Sequence, residues 1–448
     1  MIKKTKIVCT IGPACLDKNV LQELIEHGMN AARINMSHGD FNQYDKIISN
    51  LRSICNEPVI LDTQGPEVRT VNDLLVFKKG DIINFGLSIN IFSKLKINDT
   101  FYLNDGLDEG EIYEIKNKKV FLKMKTDGEL MPNRSISFRN INLDLPLLTK
   151  KDFEGFEYAI KNNIEFIALS FTKNKKDVLF AKKNLKDSCV KIIAKIENQQ
   201  GVDNIDEIIE SADAIMVARG DLGIEIPSEK VPIIQKDIIK KCNVAGKPVI
   251  VATQMMESMI INKTPTRAET SDVANAIIDG ADAIMLSAET SIGKYPALVV
   301  KTMTKICINT ETNYNKMMGI DNKSNEIPDV IAYNAYLVSN KLNAKIICLT
   351  RSGYTARMIN RFKPNNLIIA FTPNEITASQ LMISYGIMPV HYKELKEYNL
   401  KEVHNITKLC LKKKFVDKDD VIVFSAGLFV KKTTNTIIAY KVKELLEI

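Results

Sequence analysis

Eight short apolar runs, nearly all separated by helical patterns, restrict the fold of this chain more than any other feature. They are Thr5 to Ile11, Ala31 to Met36, Pro58 to Leu61, Glu165 to Leu169, Val190 to Ile196, Asp213 to Ala218, Lys247 to Ala252 and Asp282 to Leu286. Each is short and apolar, as a buried strand is, and strands that alternate with helices build a parallel sheet. Eight such units close into a barrel, whose functional groups sit at the carboxyl ends of its strands. The polar residues obey that rule. Arg33, Asn35, Ser37 and His38 end the second run, Asp62 and Thr63 follow the third, Thr253 and Gln254 the seventh, and Ser287 and Glu289 the eighth.

The alternation breaks once. From about Glu67 to Leu143 helix signals vanish, and short strands such as Ile82 to Phe85, Thr100 to Leu103 and Val120 to Lys125 are punctuated by Asn-Asp-Gly and Asp-Gly turns. An inserted β-domain that leaves and rejoins the barrel at one face is positioned as a lid excluding water. After about Asn322, strands Ala344 to Leu349, Leu367 to Phe371, Val421 to Phe424 and Thr436 to Tyr440 alternate with helices in a further α/β unit. The expected fold class is α/β: a (β/α)8 TIM barrel (1–66 and 144–321), an inserted all-β lid domain (67–143) and a C-terminal α/β regulatory domain (322–448).

The stretch from Lys191 to Pro227 concentrates the chemistry. Its first strand ends in Lys195 and Glu197, its second in Arg219-Gly220-Asp221, and Val202 to Ser211 between them has the pattern of an amphipathic helix. Strands joined by a helical crossover run parallel, so Lys195, Glu197 and Asp221 share one mouth. Hard carboxylate oxygens suit Mg2+ or Mn2+, with positions left for phosphate or enolate oxygens. Free N–H groups at the turn from Arg219 to Gly223 suit an anionic carboxylate, and the lysine a phosphoryl group in flight. Taken alone, the three residues also fit a surface salt-bridge cluster. Thr350-Arg351-Ser352-Gly353-Tyr354-Thr355 follows a strand and opens a helix, which suits either a phosphate cradle or an ordinary turn with capping hydroxyls.

Composition narrows the partners. The net charge of +7 comes from lysines interleaved with acids, without an aromatic-studded basic stripe, which favours anionic metabolites over nucleic acid. The eight cysteines are scattered with no C-x-x-C pair, so neither a disulfide framework nor a zinc site is expected. Thr5 begins a strand almost at once and no apolar run is long enough to span a bilayer, so a cytoplasmic enzyme without a membrane partner is expected.

Several long motifs resemble the pyruvate kinase family. They are Thr5 to Pro13, Gly28 to Gly39, Leu61 to Arg69, Lys195 to Val202, Met216 to Pro227, Ala252 to Met259, Pro265 to Ala276 and Gly280 to Pro296. The resemblance runs from Thr5 almost to the carboxyl terminus, and the order of barrel, insertion and C-terminal domain is also that family's. It implies transfer of the phosphoryl group of phosphoenolpyruvate to ADP, giving ATP and pyruvate in the last step of glycolysis. Lys195 would stabilise the transferring group, and Glu197 and Asp221 would hold Mg2+. The N–H groups of Gly220 and Asp221, with the Thr253 hydroxyl, would bind the substrate carboxylate. Thr253 would also lie near the face where the enolate is protonated, with an ordered water as the alternative donor. Arg33 would contact the phosphoryl group, Arg69 the nucleotide phosphates and His38 the base. Asn35, Ser37, Asp62 and Thr63 match the family's K+ site, and Glu67 the acid of its K+-requiring members. A homotetramer with a sugar-phosphate effector, held by Thr350, Ser352, Gly353 and Thr355, is the family expectation.

Some positions depart from the pattern. Gln64 replaces the usual lysine near the nucleotide, and Ala288 a usual glycine before Glu289. The insertion is shorter than usual, and in its tail, Arg134 to Leu143, Arg134 stands in for a nucleotide-binding lysine. Ser425 to Thr436 lacks the Gly-Pro-Gly loop common in the last domain. Two rival readings are a catalytically silent binding module and another metal-enolate barrel, such as a pyruvate-forming aldolase. Retention of Lys195, Glu197, Asp221, Arg33 and Thr253 opposes the first, and the paired K+ motif and the insertion oppose the second.

Overall fold

The computed structural model describes residues 3–138, 141, 143, 145–186, 188–314, 324–395, 399–427 and 434–447. Parts of two expected segments, Arg134 to Leu143 and Ser425 to Thr436, lie outside the described residues, as do the expected boundaries at 144 and 321–322.

Eight parallel strands close into a barrel in chain order. They are Lys6–Thr10, Ala31–Asn35, Val59–Asp62, Phe166–Leu169, Lys191–Ile196, Ala214–Ala218, Val249–Ala252 and Ala283–Leu286, the first hydrogen-bonded to both the second and the eighth. Side chains alternate between the two faces of a strand. One set, including Val8, Ile60, Phe166, Ile193, Met216, Ile250 and Met285, fills the interior, while Ile7, Leu61, Ile192 and Val217 pack with the outer helices. Counting two residues on from Val8, Ala31, Ile60, Ala168 and Ile193 gives Thr10, Arg33, Asp62, Ser170 and Lys195. The inner face thus ends in a polar layer at the carboxyl ends of the strands. The expected helix from Val202 to Ser211 is instead two helices, Gln199–Asp203 and Ile205–Ser211. Asn204 between them spends its side-chain amide on the Lys173 carbonyl at 2.9 Å, which favours the break.

The insertion forms a six-stranded sheet and a two-stranded ribbon around Phe77, Phe85, Phe101 and Leu122. Its Asn104–Gly106 turn rests on the helix Arg219–Glu225. A Cβ on Gly106, at φ +90°, would lie 3.1 Å from Ile224 Cγ1. The C-terminal unit is a five-stranded sheet centred on Lys345–Leu349, with Thr436–Lys441 antiparallel at one edge. It contains a strand the sequence did not signal, Ile387–His391, because Pro389 interrupts its pattern.

This last unit closes the floor of the barrel, opposite the polar layer. Ile383 plugs the interior, and Asp282 Oδ1 accepts from Asn360 Nδ2, Lys363 Nζ and the Tyr385 N–H at 2.8, 2.9 and 3.0 Å. Lys6 reaches across to the Ile387 carbonyl at 2.7 Å, and burial pulls its ammonium down from 10.5 to about 7. Between those values the unfolded chain holds more protons than the native one, so this group makes stability rise with pH across that window. In Lys6→Met that contribution disappears. The urea midpoint of the variant should climb less than that of the wild type between pH 7 and 9, and parallel profiles would contradict the assignment.

Candidate active site

Asp62 organises the polar layer. It is wholly buried, accepting from Arg33 Nε through Oδ2 at 2.6 Å and lying 3.0 Å from Lys195 Nζ through Oδ1. Arg33 also donates to Thr10 Oγ1 at 2.9 Å. Lys195 Nζ lies 2.8 Å from both Glu197 Oε1 and Ser170 Oγ. Ser170 in turn donates to the Thr63 carbonyl at 2.7 Å, and the Phe171 N–H donates to Glu197 Oε2 at 2.7 Å.

Charge in this layer is fixed by mutual pairing. Burial pulls the Lys195 pKa down, but Asp62 and Glu197 beside it raise it above the ordinary lysine value overall. Burial likewise opposes ionisation of Asp62, yet Lys195 and Arg33 hold it below the usual carboxylate range. Lys195 is therefore a fixed cation, only 8% exposed, at the bottom of an open mouth. In such a site it acts on charge with little screening.

The seventh strand ends in two consecutive left-handed residues, Thr253 (φ 67°) and Gln254 (φ 53°). Such conformations cost roughly 1–3 kcal/mol each for residues other than glycine. Arg219 holds them: its Nη2 donates to the carbonyls of Thr253 and Gln254 at 2.7 and 3.0 Å, and its Nη1 to Asp272 Oδ1 at 2.8 Å. The Thr253 hydroxyl is thereby set to accept from the Gly220 N–H at 2.8 Å and donate to the Ala252 carbonyl at 2.6 Å. Gly220 and Thr253, both expected at a substrate carboxylate, lie side by side and are bonded to each other. Gly65, at φ +68°, lets the chain leave the third strand against the Phe171 ring, where a Cβ would come within 2.5 Å of it.

A cavity of about 430 Å3 opens over this layer. Arg33, Asn35, Ser37, His38 and Thr63 line it with Lys195, Glu197 and Asp221, and Arg69 and Arg134 face in from the insertion side. Glu67 pairs with Arg69 at 2.5 Å on its wall. Asp62 lies beneath this lining and Gly220 and Thr253 beside it. The loop residues Thr350, Ser352, Gly353 and Thr355 belong to the C-terminal unit, where the Thr355 hydroxyl pairs with that of Thr434 at 2.7 Å.

Among the described residues, no cluster of three or more His, Cys, Asp and Glu forms a metal site by itself. Glu197 and Asp221 line one polar cavity with room for further oxygen ligands, and this fits Mg2+, which takes one or two carboxylates and completes its shell with substrate oxygens. Asn35, Ser37 and Thr63 offer oxygen donors alone beside buried Asp62, which fits a hard monovalent cation. Sequence reasoning missed Thr10, Ser170, Phe171 and Asp272. The first two could have been found by continuing the inner-face alternation, whereas Phe171 and Asp272 act through contacts that no spacing announces.

Comparison with known proteins gives one answer along the chain. The family model described as pyruvate kinase, barrel domain, matches residues 2–85 and 78–300, and that described as pyruvate kinase, alpha/beta domain, matches residues 329–439. Among curated relatives, pyruvate kinase of Staphylococcus epidermidis is 40% identical, covering 97% of this chain and 80% of the relative. That of Staphylococcus aureus is 38% identical, covering 97% and 79%. Among solved structures, a pyruvate kinase from Cryptosporidium parvum superposes with a TM-score of 0.90 at 34% identity, covering 98% of this chain and 96% of that one.

Proposed function

The chain belongs to the pyruvate kinase family, and we infer from this that its cavity moves the phosphoryl group of phosphoenolpyruvate to ADP, giving pyruvate and ATP. What carries the reading is the Lys195 ammonium, held between Asp62 and Glu197 at 3.0 and 2.8 Å on the floor of a cavity that Asp221 also lines. A permanently charged lysine there faces the three equatorial oxygens of a phosphoryl group in transfer and stabilises the charge spread over them. Arg33, anchored on Asp62 and Thr10, grips the same group from the other oxygen of that shared carboxylate. The substrate P–O bond breaks as the ADP terminal oxygen bonds to phosphorus, and the enolate left behind takes a proton at its methylene carbon.

Mg2+ or Mn2+ held by Glu197 and Asp221 supplies positive charge for the phosphate and enolate oxygens. Around it, Phe171 N–H and Lys195 fix both oxygens of Glu197 in place. Gly220, Asp221 and Thr253 receive the substrate carboxylate, and for this the Gly220 N–H exchanges its bond to Thr253 for one to the ligand. Because the Thr253 hydroxyl donates to the Ala252 carbonyl, the geometry favours an ordered water as the final proton donor. Arg69, His38 and Arg134 serve the nucleotide, while Asn35, Ser37, Asp62 and Thr63 bind K+ beside the two phosphate-bearing substrates. The insertion closes over them as a lid. The reading includes a cytoplasmic homotetramer and a phosphorylated effector, both supported by family membership.

Phosphorus NMR of phosphoenolpyruvate, ADP and Mg2+ with the enzyme tests the reaction directly. Signals of ATP should replace those of phosphoenolpyruvate one for one, and release of inorganic phosphate instead would overturn the reading. The K+ reading has its own test in Glu67→Lys. This substitution turns a negative charge beside the proposed cation site into a positive one, and a unit charge ~4 Å away near a protein surface is worth about 4 kcal/mol, so activation by K+ should fall by at least an order of magnitude. An unchanged K+ activation ratio would count against it.

A further inference from the structure

Asp152, in the first turn of the helix Lys150–Lys161, is wholly buried and does not line the cavity, yet both of its carboxylate oxygens hold chain that leads to or from the insertion. Its Oδ1 accepts from the Gln64 N–H at 2.8 Å and its Oδ2 from the Gly65 N–H at 3.2 Å, on the crossing that leaves the third barrel strand. The same Oδ2 accepts from the N–H and the hydroxyl of Thr149 at 2.9 and 2.8 Å, on the crossing that returns. The capping box that starts this helix needs only the bonds between Asp152 and Thr149. Those to Gln64 and Gly65 are additional. Among the described residues, the next backbone bonds between the two crossings are those of the Ile136 N–H to the Val68 carbonyl at 2.9 Å and of the Thr70 N–H to the Arg134 carbonyl at 2.8 Å. Both of these lie inside the insertion.

We propose that Asp152 is a positioning residue for the assigned reaction. It is the barrel-side anchor that fixes where the insertion leaves and rejoins, and so sets Gln64, Arg69 and Arg134 against the barrel floor to receive the nucleotide. The role rests on the reading of the cavity as a phosphoryl-transfer site. Gln64 lines that cavity directly after Thr63, and Arg69 and Arg134 face into it from beyond the joint. Lys195, Glu197 and Thr253 are held by other partners, namely Asp62, Phe171 and Arg219. A loosened anchor therefore reaches the nucleotide and spares the groups on the barrel floor. It shows in the KM for ADP and not in chemistry confined to the barrel.

Asp152→Asn separates the two tasks of the carboxylate. The amide oxygen is best placed on the side of the Gly65 N–H and both Thr149 groups, which keeps the capping box. Its NH2 then meets the Gln64 N–H, donor against donor. The KM for ADP should rise at least about fivefold, the scale of losing one buried hydrogen bond, while the KM for phosphoenolpyruvate and the Mg2+-dependent exchange of pyruvate methyl protons stay within about twofold. Thr149→Ala is the complement, since it removes the capping hydroxyl and leaves the bonds to Gln64 and Gly65. Its thermal stability should fall, with the KM for ADP within about twofold of wild type. With pyruvate still formed by the wild type, three results would each overturn this role alone: an unchanged KM for ADP in Asp152→Asn, a parallel loss of proton exchange in that variant, or an equal rise in KM for ADP in Thr149→Ala. Wild-type enzyme that forms no pyruvate would overturn the assigned reaction and this role with it.

Discussion

Lys195→Met should lower phosphoryl transfer from phosphoenolpyruvate by about a thousandfold or more, the usual scale for removing one cationic or oxyanion-stabilising group from a transition state. Methionine keeps most of the apolar stem and removes the ammonium that lies 3.0 Å from Asp62 and 2.8 Å from Glu197 and Ser170. Arg33 still partners Asp62 at 2.6 Å, so the polar layer retains one of its cations. The divalent-cation ligands Glu197 and Asp221 also remain. Enolisation of pyruvate, followed by exchange of its methyl protons with deuterated water in the presence of Mg2+, should therefore survive in part. Transfer and enolisation falling together would remove Lys195 from its assigned role.

Asp62→Asn is the other large effect, and it is read in stability as well as in rate. The carboxylate is shared by Arg33 and Lys195, and the site is wholly buried. An amide fills the same volume but leaves two buried cations facing a neutral group, and breaking a buried ion pair in this way costs about 3–5 kcal/mol. The urea midpoint should fall accordingly, and turnover with it, because the charge that keeps Lys195 protonated is partly lost. Activity lost with no change in stability would mean that Asp62 serves a bound cation only. Stability lost with turnover intact would mean that Lys195 and Arg33 do not act as a unit.

Much of the barrel was legible because burial forces a pattern on short parallel strands. After Lys191 the fifth barrel strand is apolar on both faces from Ile192 to Ala194, since one looks into the barrel and the other at helices, and polarity returns at Lys195 and Glu197. Carboxylates, arginine and lysine at strand ends were visible for the same reason. What escaped depends on contacts between distant segments. Phe171 follows an apolar strand with nothing to mark it, and only the fold sets its N–H 2.7 Å from Glu197 Oε2. Thr253 carries no sign of its left-handed backbone, which a guanidinium from the preceding strand's end imposes through two carbonyls. Most strands of the insertion went unrecognised. Charged and glycine-bearing segments such as Asp108–Lys116 form an antiparallel sheet with one face toward solvent, where alternation is diluted.

One measurement bears most directly on the central claim that this cavity performs cation-assisted phosphoryl transfer. It is the rate of pyruvate formation from phosphoenolpyruvate and ADP, with Mg2+ present or chelated and with K+ present or replaced by an inert organic cation. Activity that requires Mg2+ and is strongly raised by K+ is the expected result. Well-folded enzyme that forms no pyruvate under any of these conditions would contradict it.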